Sequence, residues 1–333
     1  MNKLKVGVIG LGVMGEQHAK ILSELPQVEL LGVCDLDKNL ATSIGENLDT
    51  KAYFDTDELL NLPDLNAVLI CTSDHLHKDI ALKAIEKGVN IFIEKPLADT
   101  NEDAEEIIKA YEKSNVRLMV GHTLHWDPRY FEASKQFESG VIGKPIHLFA
   151  RRNNSIENGE RLKGRTSVIK FLGVHDLEAI EWITQDKIIE VYATAVYKRL
   201  KKYNTPDTII TNFKLSSGAI GSYETTWALP ENHVNLDAKL DIVGTSGVLN
   251  INIVNQNINV YTNESIKYPD PITNIDLYGK QAGILKEELS TFVNNIIEDK
   301  EFPISVNQAH RAIKIVEAVE ESIELGQPVR IEP

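Results

Sequence analysis

The chain has 333 residues, 42% of them hydrophobic, enough length for about two domains that each bury a core of their own. A net charge of −14, from 49 Asp and Glu against 35 Lys and Arg, disfavours nucleic acid and anionic lipid as partners. Cys34 and Cys71 are the only cysteines and lack zinc-ligand spacing, no apolar run approaches a signal core or a membrane span, and the expectation is a cytoplasmic protein with no metal.

Short Val, Ile and Leu runs at 4–9, 30–35, 67–71, 90–94 and 117–121 lack polar alternation, as strands buried on both faces do. Helical patterns separate them, such as Ile80, Ala84 and Ile85, or Ala104, Ile107, Ile108 and Tyr111. Residues 1–121 therefore read as an α/β Rossmann domain, a doubly wound parallel sheet. Beyond Asp127-Pro128 come a helical stretch to Ser139, a Gly-Lys-Pro turn and a strand from 146 to 152. The segment 151–166, rich in Arg, Asn and Gly, reads as a loop. From 188 the alternation has period two: Val191, Ala193, Ala195 and Tyr197 share a face, then Ile209, Thr211, Phe213 and Leu215. Further strands are expected near 219–227, 237–243, 248–253 and 257–261, and helices over 284–298 and 307–325 before a short strand at 329–331. Residues 122–333 read as an α+β domain with a large, mostly antiparallel open sheet. Its apolar face holding Ala193, Ala195, Tyr197 and Phe213 is expected to be free for a second subunit.

Gly10-Leu11-Gly12-Val13-Met14-Gly15 follows the first strand and opens a helix, the setting in which GxGxxG signals a dinucleotide. Gly10 permits the tight turn, Gly12 the approach of a pyrophosphate, and Gly15 close packing of helix on strand. Asp35 ends the second strand, where a carboxylate accepts from the adenosine ribose hydroxyls and repels a 2′-phosphate, so NAD is favoured over NADP. Lys38 is the nearby cation that weakens this preference. Thr72 and Ser73 fall at a strand's carboxyl edge and are candidate cofactor contacts. His77 either joins them or packs at a helix start, and Gln17-His18 read as solvent-facing or cofactor-adjacent without a chemical role.

Glu94-Lys95-Pro96 follows another of these strands, and Lys95 there can stabilise a developing alkoxide. With the glycine motif, this segment makes the whole chain resemble the Gfo/Idh/MocA oxidoreductases. The resemblance implies that Glu94 and Lys95 lie at the cofactor. It also implies that Lys95 sits between nicotinamide and reacting carbon, donating to the substrate oxygen, and that Lys95-Pro96 is often cis. The family's second motif, D-x-G-x-H, aligns with Phe171-Leu172-Gly173-Val174-His175. His175 matches the implied general base, but Phe171 stands where the resemblance expects Asp. The proton relay then rests on Lys95 and His175, or borrows an acid such as Asp176.

Substrate contacts are sought at His122, Trp126, Arg129 and Tyr130, which could instead be junction core, and at Arg152 with Phe171. Arg151, Arg152, Arg161, Lys163 and Arg165 form the densest basic cluster, suited to an anionic group or to a solvated loop, while Glu178 and Glu181 read as surface charges. By resemblance the chain is an NAD-dependent dehydrogenase acting on a secondary hydroxyl of a sugar or inositol-like cyclitol, assembled as a homodimer or homotetramer. Two rivals remain open: NAD-assisted elimination of a glycosidic substituent with no net redox change, and a dinucleotide-binding regulator without turnover.

Overall fold

The computed structural model describes residues 3–231, 236–254, 258, 260–262, 266–267 and 269–332. The chain forms two compact units, Met1–Trp126 with Ile272–Ile313, and Asp127–Pro271 with Lys314–Pro333.

The first unit begins with strands β1 (Leu4–Ile9), β2 (Val28–Cys34), β3 (Lys51–Tyr53), β4 (Ala67–Ile70), β5 (Asn90–Glu94) and β6 (Leu118–Gly121). They form one parallel sheet in the order β3-β2-β1-β4-β5-β6. Its crossovers carry helices α1 (Val13–Glu24), α2 (Lys38–Asn47), α3 (Thr56–Leu60), α4 (His77–Glu86) and α5 (Asn101–Tyr111). The apolar runs work as expected: side chains of β1, β4 and β5 are buried on both faces, Val8, Leu69 and Phe92 in one core, Val68, Ile70 and Ile93 in the other. The edge strand β3 has only three residues and no apolar run, which is why the sequence pattern missed it.

The second unit holds α6 (Pro128–Glu138), β7 (Pro145–Ser155), α7 (Ile156–Leu162), a π-helical turn (Ile169–Gly173) and α8 (Val174–Thr184). Strands β8 (Ile188–Val196), β9 (Thr208–Leu215), β10 (Ile220–Leu229), β11 (Asp237–Gly244) and β12 (Val248–Asn252) follow, then the short pair β13 (Val260–Tyr261) and β14 (Ile266–Lys267). The chain next adds β15 (Ile275–Leu277), β16 (Lys280–Ala282) and α9 (Ile284–Ile297) to the first unit. Helix α10 (Val306–Leu325) begins in the first unit and ends in the second, and β17 (Val329–Arg330) closes the second unit's sheet, ordered β12-β11-β7-β10-β9-β8-β17. That sheet is antiparallel except for the β7/β10 pair. Residues 257 and 259 of the strand expected at 257–261 lie outside the described residues.

Four expectations are corrected. A single cut at 121 leaves out the return of residues 272–313 to the first unit, where Leu285, Leu289, Phe292 and Val293 of α9 join the core of Val6, Val8 and Phe92. The expected loop 151–166 is the end of β7 followed by α7, which buries Ile156, Gly159 and Leu162. The face of Ala193 and Phe213 is not free: these residues are 2% and 3% exposed, and Ala193 N donates to Ser322 Oγ of α10 at 3.0 Å. The alternation was read in the right phase, but this chain's own helices cover that face. Tyr192, Val196, Ile210, Ile220 and Val248 point outward instead. Glu178 and Glu181 are buried, and Glu181 accepts from Ile188 N at 2.7 Å and pairs with Lys187 at 3.1 Å, tying the end of α8 to β8.

Candidate active site

In the first unit the carboxyl ends of β1, β2, β4 and β5 bring the cofactor candidates onto one sheet edge. Gly10 has φ +85°, and a Cβ there would lie 2.7 Å from Thr72 N. A Cβ on Gly15 would stand 1.8 Å from Gly10 O, so only glycine lets α1 pack on the loop. Gly12 is the N-cap of α1, with no side chain capping it and open space where a Cβ would be, and Val13 beside it is 65% exposed while Met14 is half-buried. Asp35 accepts from Leu11 N at 2.7 Å and Asp37 N at 2.9 Å, which fixes its carboxylate against the glycine loop. Thr72 Oγ1 is buried with no partner among the described residues, and Ser73, half-buried beside it, stands at the N-cap position of a 3-10 turn without a side-chain capping bond.

These features fit NAD. An uncapped helix start with an unobstructed Gly12 is an anion site for the pyrophosphate. The Asp35 oxygens retain lone pairs for ribose hydroxyls, and Thr72 offers an unsatisfied hydroxyl at the same edge.

Lys95 directly follows β5, is joined to Pro96 by a cis peptide bond, and is half-buried. Behind it Glu94 is buried, accepting from His18 Nε2 at 2.6 Å and from Lys95 N at 3.2 Å. Burial alone would push the Glu94 carboxyl up, but the hydrogen bond and charge of His18, with the charges of Lys95 and His77, hold it below the ordinary carboxylate range. His18 is thus neither solvent-facing nor idle. The sequence held a signal for it, since Gly15, His18, Ala19 and Leu22 follow the buried stripe of α1. His77 proves to be the packing residue, its ring nitrogens facing Pro96 O at 2.9 Å and Thr72 O at 3.2 Å, and burial lowers its pKa. It braces the loop that carries Lys95 from below. Sequence reasoning also missed Glu288 on α9, fully buried with neither carboxyl oxygen partnered among the described residues. Burial, then the charge of Glu94, raises its pKa well above the ordinary value, leaving a neutral acid. His122 is buried after β6, and Trp126 Nε1 donates to Thr291 Oγ1 of α9 at 3.0 Å, so Trp126 serves as core of this unit.

In the second unit His175 lies in the first turn of α8, half-buried, one residue before Asp176. Asp176 is not available as a borrowed acid. Arg152 of β7 grips it with two hydrogen bonds, Nε to Oδ2 at 2.6 Å and Nη2 to Oδ1 at 3.1 Å, and Tyr223 OH donates to Oδ2 at 3.1 Å. Tyr130 completes this buried cluster by accepting from Arg152 Nη2 at 3.2 Å. Arg152 is therefore a correction to the substrate-binding expectation: burial disfavours its charge, yet Asp176 holds the guanidinium firmly protonated. The cluster locks the start of α8 on the sheet and so fixes where His175 begins. The remaining basic residues do not converge either, since Arg151 pairs with Asp237 at 2.9 Å and Arg129 with Asp127 at 2.7 Å, while Arg161 donates to Asn158. Phe171 sits half-buried in the π-helical turn, its ring 6.0 Å from that of Trp227. Among the described residues no group of three or more His, Cys, Asp or Glu is placed to hold a metal ion, and no helix is long and apolar enough to cross a membrane.

The first unit's sheet order, glycine loop and acidic β2 terminus define an NAD-binding Rossmann oxidoreductase. The family comparison agrees: the profile described as "Oxidoreductase family, NAD-binding Rossmann fold" matches residues 4–122, and "GFO/IDH/MocA C-terminal domain" matches residues 130–250. The chain belongs to the Gfo/Idh/MocA oxidoreductase family. Among its relatives is a myo-inositol 2-dehydrogenase of Thermotoga maritima, 25% identical over 99% of both chains. Another is a 2,7-anhydro-N-acetylneuraminate hydratase of Mediterraneibacter gnavus, 25% identical over 94% of this chain and 92% of the relative. The crystal structure of a myo-inositol 2-dehydrogenase from Lactobacillus plantarum superposes with a TM-score of 0.87 at 23% identity, covering 99% of this chain and 100% of that one.

Proposed function

We propose that this protein is an NAD-dependent dehydrogenase that exchanges a hydride with the carbinol carbon of a cyclitol or sugar. The observation that carries this reading is the place of Lys95: an ammonium at the carboxyl edge of the sheet that bears the dinucleotide loop, on a segment braced by the Glu94–His18 pair and by His77. The Thermotoga relative, matched along the full chain, supports a cyclitol as the substrate.

NAD, when bound, accepts the hydride, and the protein handles the rest. Gly10, Gly12, Val13, Met14 and Gly15 present backbone to the pyrophosphate, and Asp35 holds the ribose hydroxyls. Thr72, Ser73 and Glu94 complete the cofactor shell, Glu94 by holding the Lys95 backbone. Lys95 donates to the substrate oxygen and disfavours its protonated form as the hydride leaves. His175 takes the hydroxyl proton, a step suited to an imidazole near neutral pH. His122 is the remaining polar candidate for a substrate hydroxyl.

Two features support a homodimer or homotetramer built through the second unit's sheet, in a cytoplasmic setting. Apolar side chains stand on its outward face, and both cysteines are free thiols.

The test is absorbance at the reduced-nicotinamide band with NAD, and in parallel NADP, against inositols, aldoses and sugar acids. NADH formed with a cyclitol or sugar is expected. Silence despite NAD binding by calorimetry removes the dehydrogenase reading and leaves chemistry without net redox change, or a regulator.

A further inference from the structure

The carboxylates that flank the π-helical turn are already paired. Ser167 Oγ donates to Glu320 Oε1 at 2.5 Å and Lys170 Nζ lies 3.7 Å from Glu320 Oε2, which pins the start of the π-helical turn to α10. Beyond it Asp176 accepts two hydrogen bonds from Arg152 and one from Tyr223. Gly173 between them packs so closely that a Cβ would lie 2.5 Å from Ile169 Cδ1 and 3.2 Å from the Tyr223 ring. The segment is fixed at both ends, so the Phe171 ring is held rather than adaptable. π-Helical turns are rare and recur at functional sites because they re-aim side chains at a cost in backbone geometry. Here the turn presents a half-buried aromatic ring one helical turn before His175. Behind the ring stands Trp227, whose indole N–H is buried and without a partner among the described residues. The wall beside the proposed base is thus two aromatic rings tilted 56° to one another, with Asp176 held by Arg152 and Tyr223 and Glu320 by Ser167 and Lys170.

We propose that Phe171 selects substrates that carry an alkyl or deoxy carbon, in place of a free hydroxyl, next to the carbinol they present to His175. This rests on the dehydrogenase reading and narrows it. A hydroxyl pressed against the ring gives up its water hydrogen bonds and gains none, while a methyl or methylene gains burial. An apolar wall rejects an added hydroxyl by at most about 100-fold, which sets the size of the effect.

The experiment compares matched pairs, myo-inositol with its mono-O-methyl ethers and D-glucose with 2-deoxy-D-glucose, by kcat/KM from NADH formation and by calorimetric titration of the NAD-loaded protein. In wild type the alkylated or deoxy member of at least one pair is expected to be preferred about tenfold to 100-fold. Phe171→Asp should reverse that preference, and Phe171→Leu, which keeps the wall apolar, should retain its direction. Equal or weaker handling of every alkylated and deoxy member, or binding of none of the four classes, overturns the proposal. NADH formed equally from both members of each pair sinks the wall and leaves the dehydrogenase intact. A binding preference without NADH formation keeps the wall and sinks the dehydrogenase.

Discussion

A lysine in a loop is ordinarily a solvated charge, and what lifts Lys95 above that is its setting: half-buried at a sheet's carboxyl edge, its backbone N–H held by Glu94 at 3.2 Å. Lys95→Ala removes the proposed donor to the substrate oxygen and none of the glycine-loop groups assigned to the phosphates. Turnover should fall by about 10²–10⁴-fold, the usual worth of a positioned acid or base, with NAD affinity near wild type in calorimetry. Undiminished kcat would show that another group carries the proton. Asp35 makes a different claim, about cofactor choice. Its carboxylate holds Leu11 N at 2.7 Å and supplies the charge that a 2′-phosphate would meet. Asp35→Ser should weaken NAD by about tenfold to 100-fold, as expected for losing hydrogen bonds to a charged group, and bring the NADP and NAD affinities together. An unchanged ratio of the two dissociation constants would assign the preference elsewhere, Lys38 being the nearest candidate.

Buried carboxyl groups on β5 and α9 link the site to stability through opposite pH signs. Glu94 is held below the ordinary carboxylate range, so the folded state releases its proton more readily than the unfolded chain. Its contribution is present above about pH 4.3, the ordinary Glu value, and is lost as pH falls through and below it. Glu288 is raised, so unfolding releases a proton above that same value and the folded state is progressively disfavoured as pH climbs. Glu288→Gln keeps the shape and removes the titration. Urea unfolding should show the variant gaining on wild type from about pH 4.3 upward, by at most about 1.4 kcal/mol per pH unit, with little difference at pH 4. A gain independent of pH would mean that Glu288 is not held neutral. Buried groups of the first unit also show what the sequence could and could not reveal. His18 and Glu288 both lie on apolar helical stripes, Gly15-His18-Ala19-Leu22 and Leu285-Glu288-Leu289-Phe292, so their burial was legible from period alone. Residue type, weighed above that period, makes His18 read as solvent-facing or cofactor-adjacent and does not single out Glu288. The parallel sheet, the glycine loop, Asp35 and the Lys95 segment were legible because each is local in sequence and needs particular residues. The Arg152–Asp176–Tyr223 cluster was not, because it joins three elements through side chains that carry no spacing signal.

At the scale of the whole molecule, the outward face of the second unit's sheet carries exposed apolar side chains. Register places Tyr192 and Val196 of β8, Ile210 of β9, Ile220 of β10 and Val248 of β12 on that one face, and they are 39 to 57% exposed. The period-two pattern located two distinct faces but could not say which one α8 and α10 would cover, since both carry apolar residues. With the inner face closed by this chain's own helices, the outer one is where a second copy would gain most from burial, about 25 cal/mol for each Å² of apolar area removed from water. A symmetric pairing brings each substituted residue in twice, so one charge is felt as two facing charges in a drying interface. Ile210→Glu should therefore convert the assembly to monomer in light scattering coupled to size exclusion, at protein concentrations where wild type is a dimer or larger. Because Ile210 projects away from the buried cluster around Asp176, the variant's near-ultraviolet circular dichroism should remain that of wild type. A wild-type protein that is monomeric at tens of micromolar would refute the pairing, and an Ile210→Glu assembly of unchanged mass would move the interface to another surface.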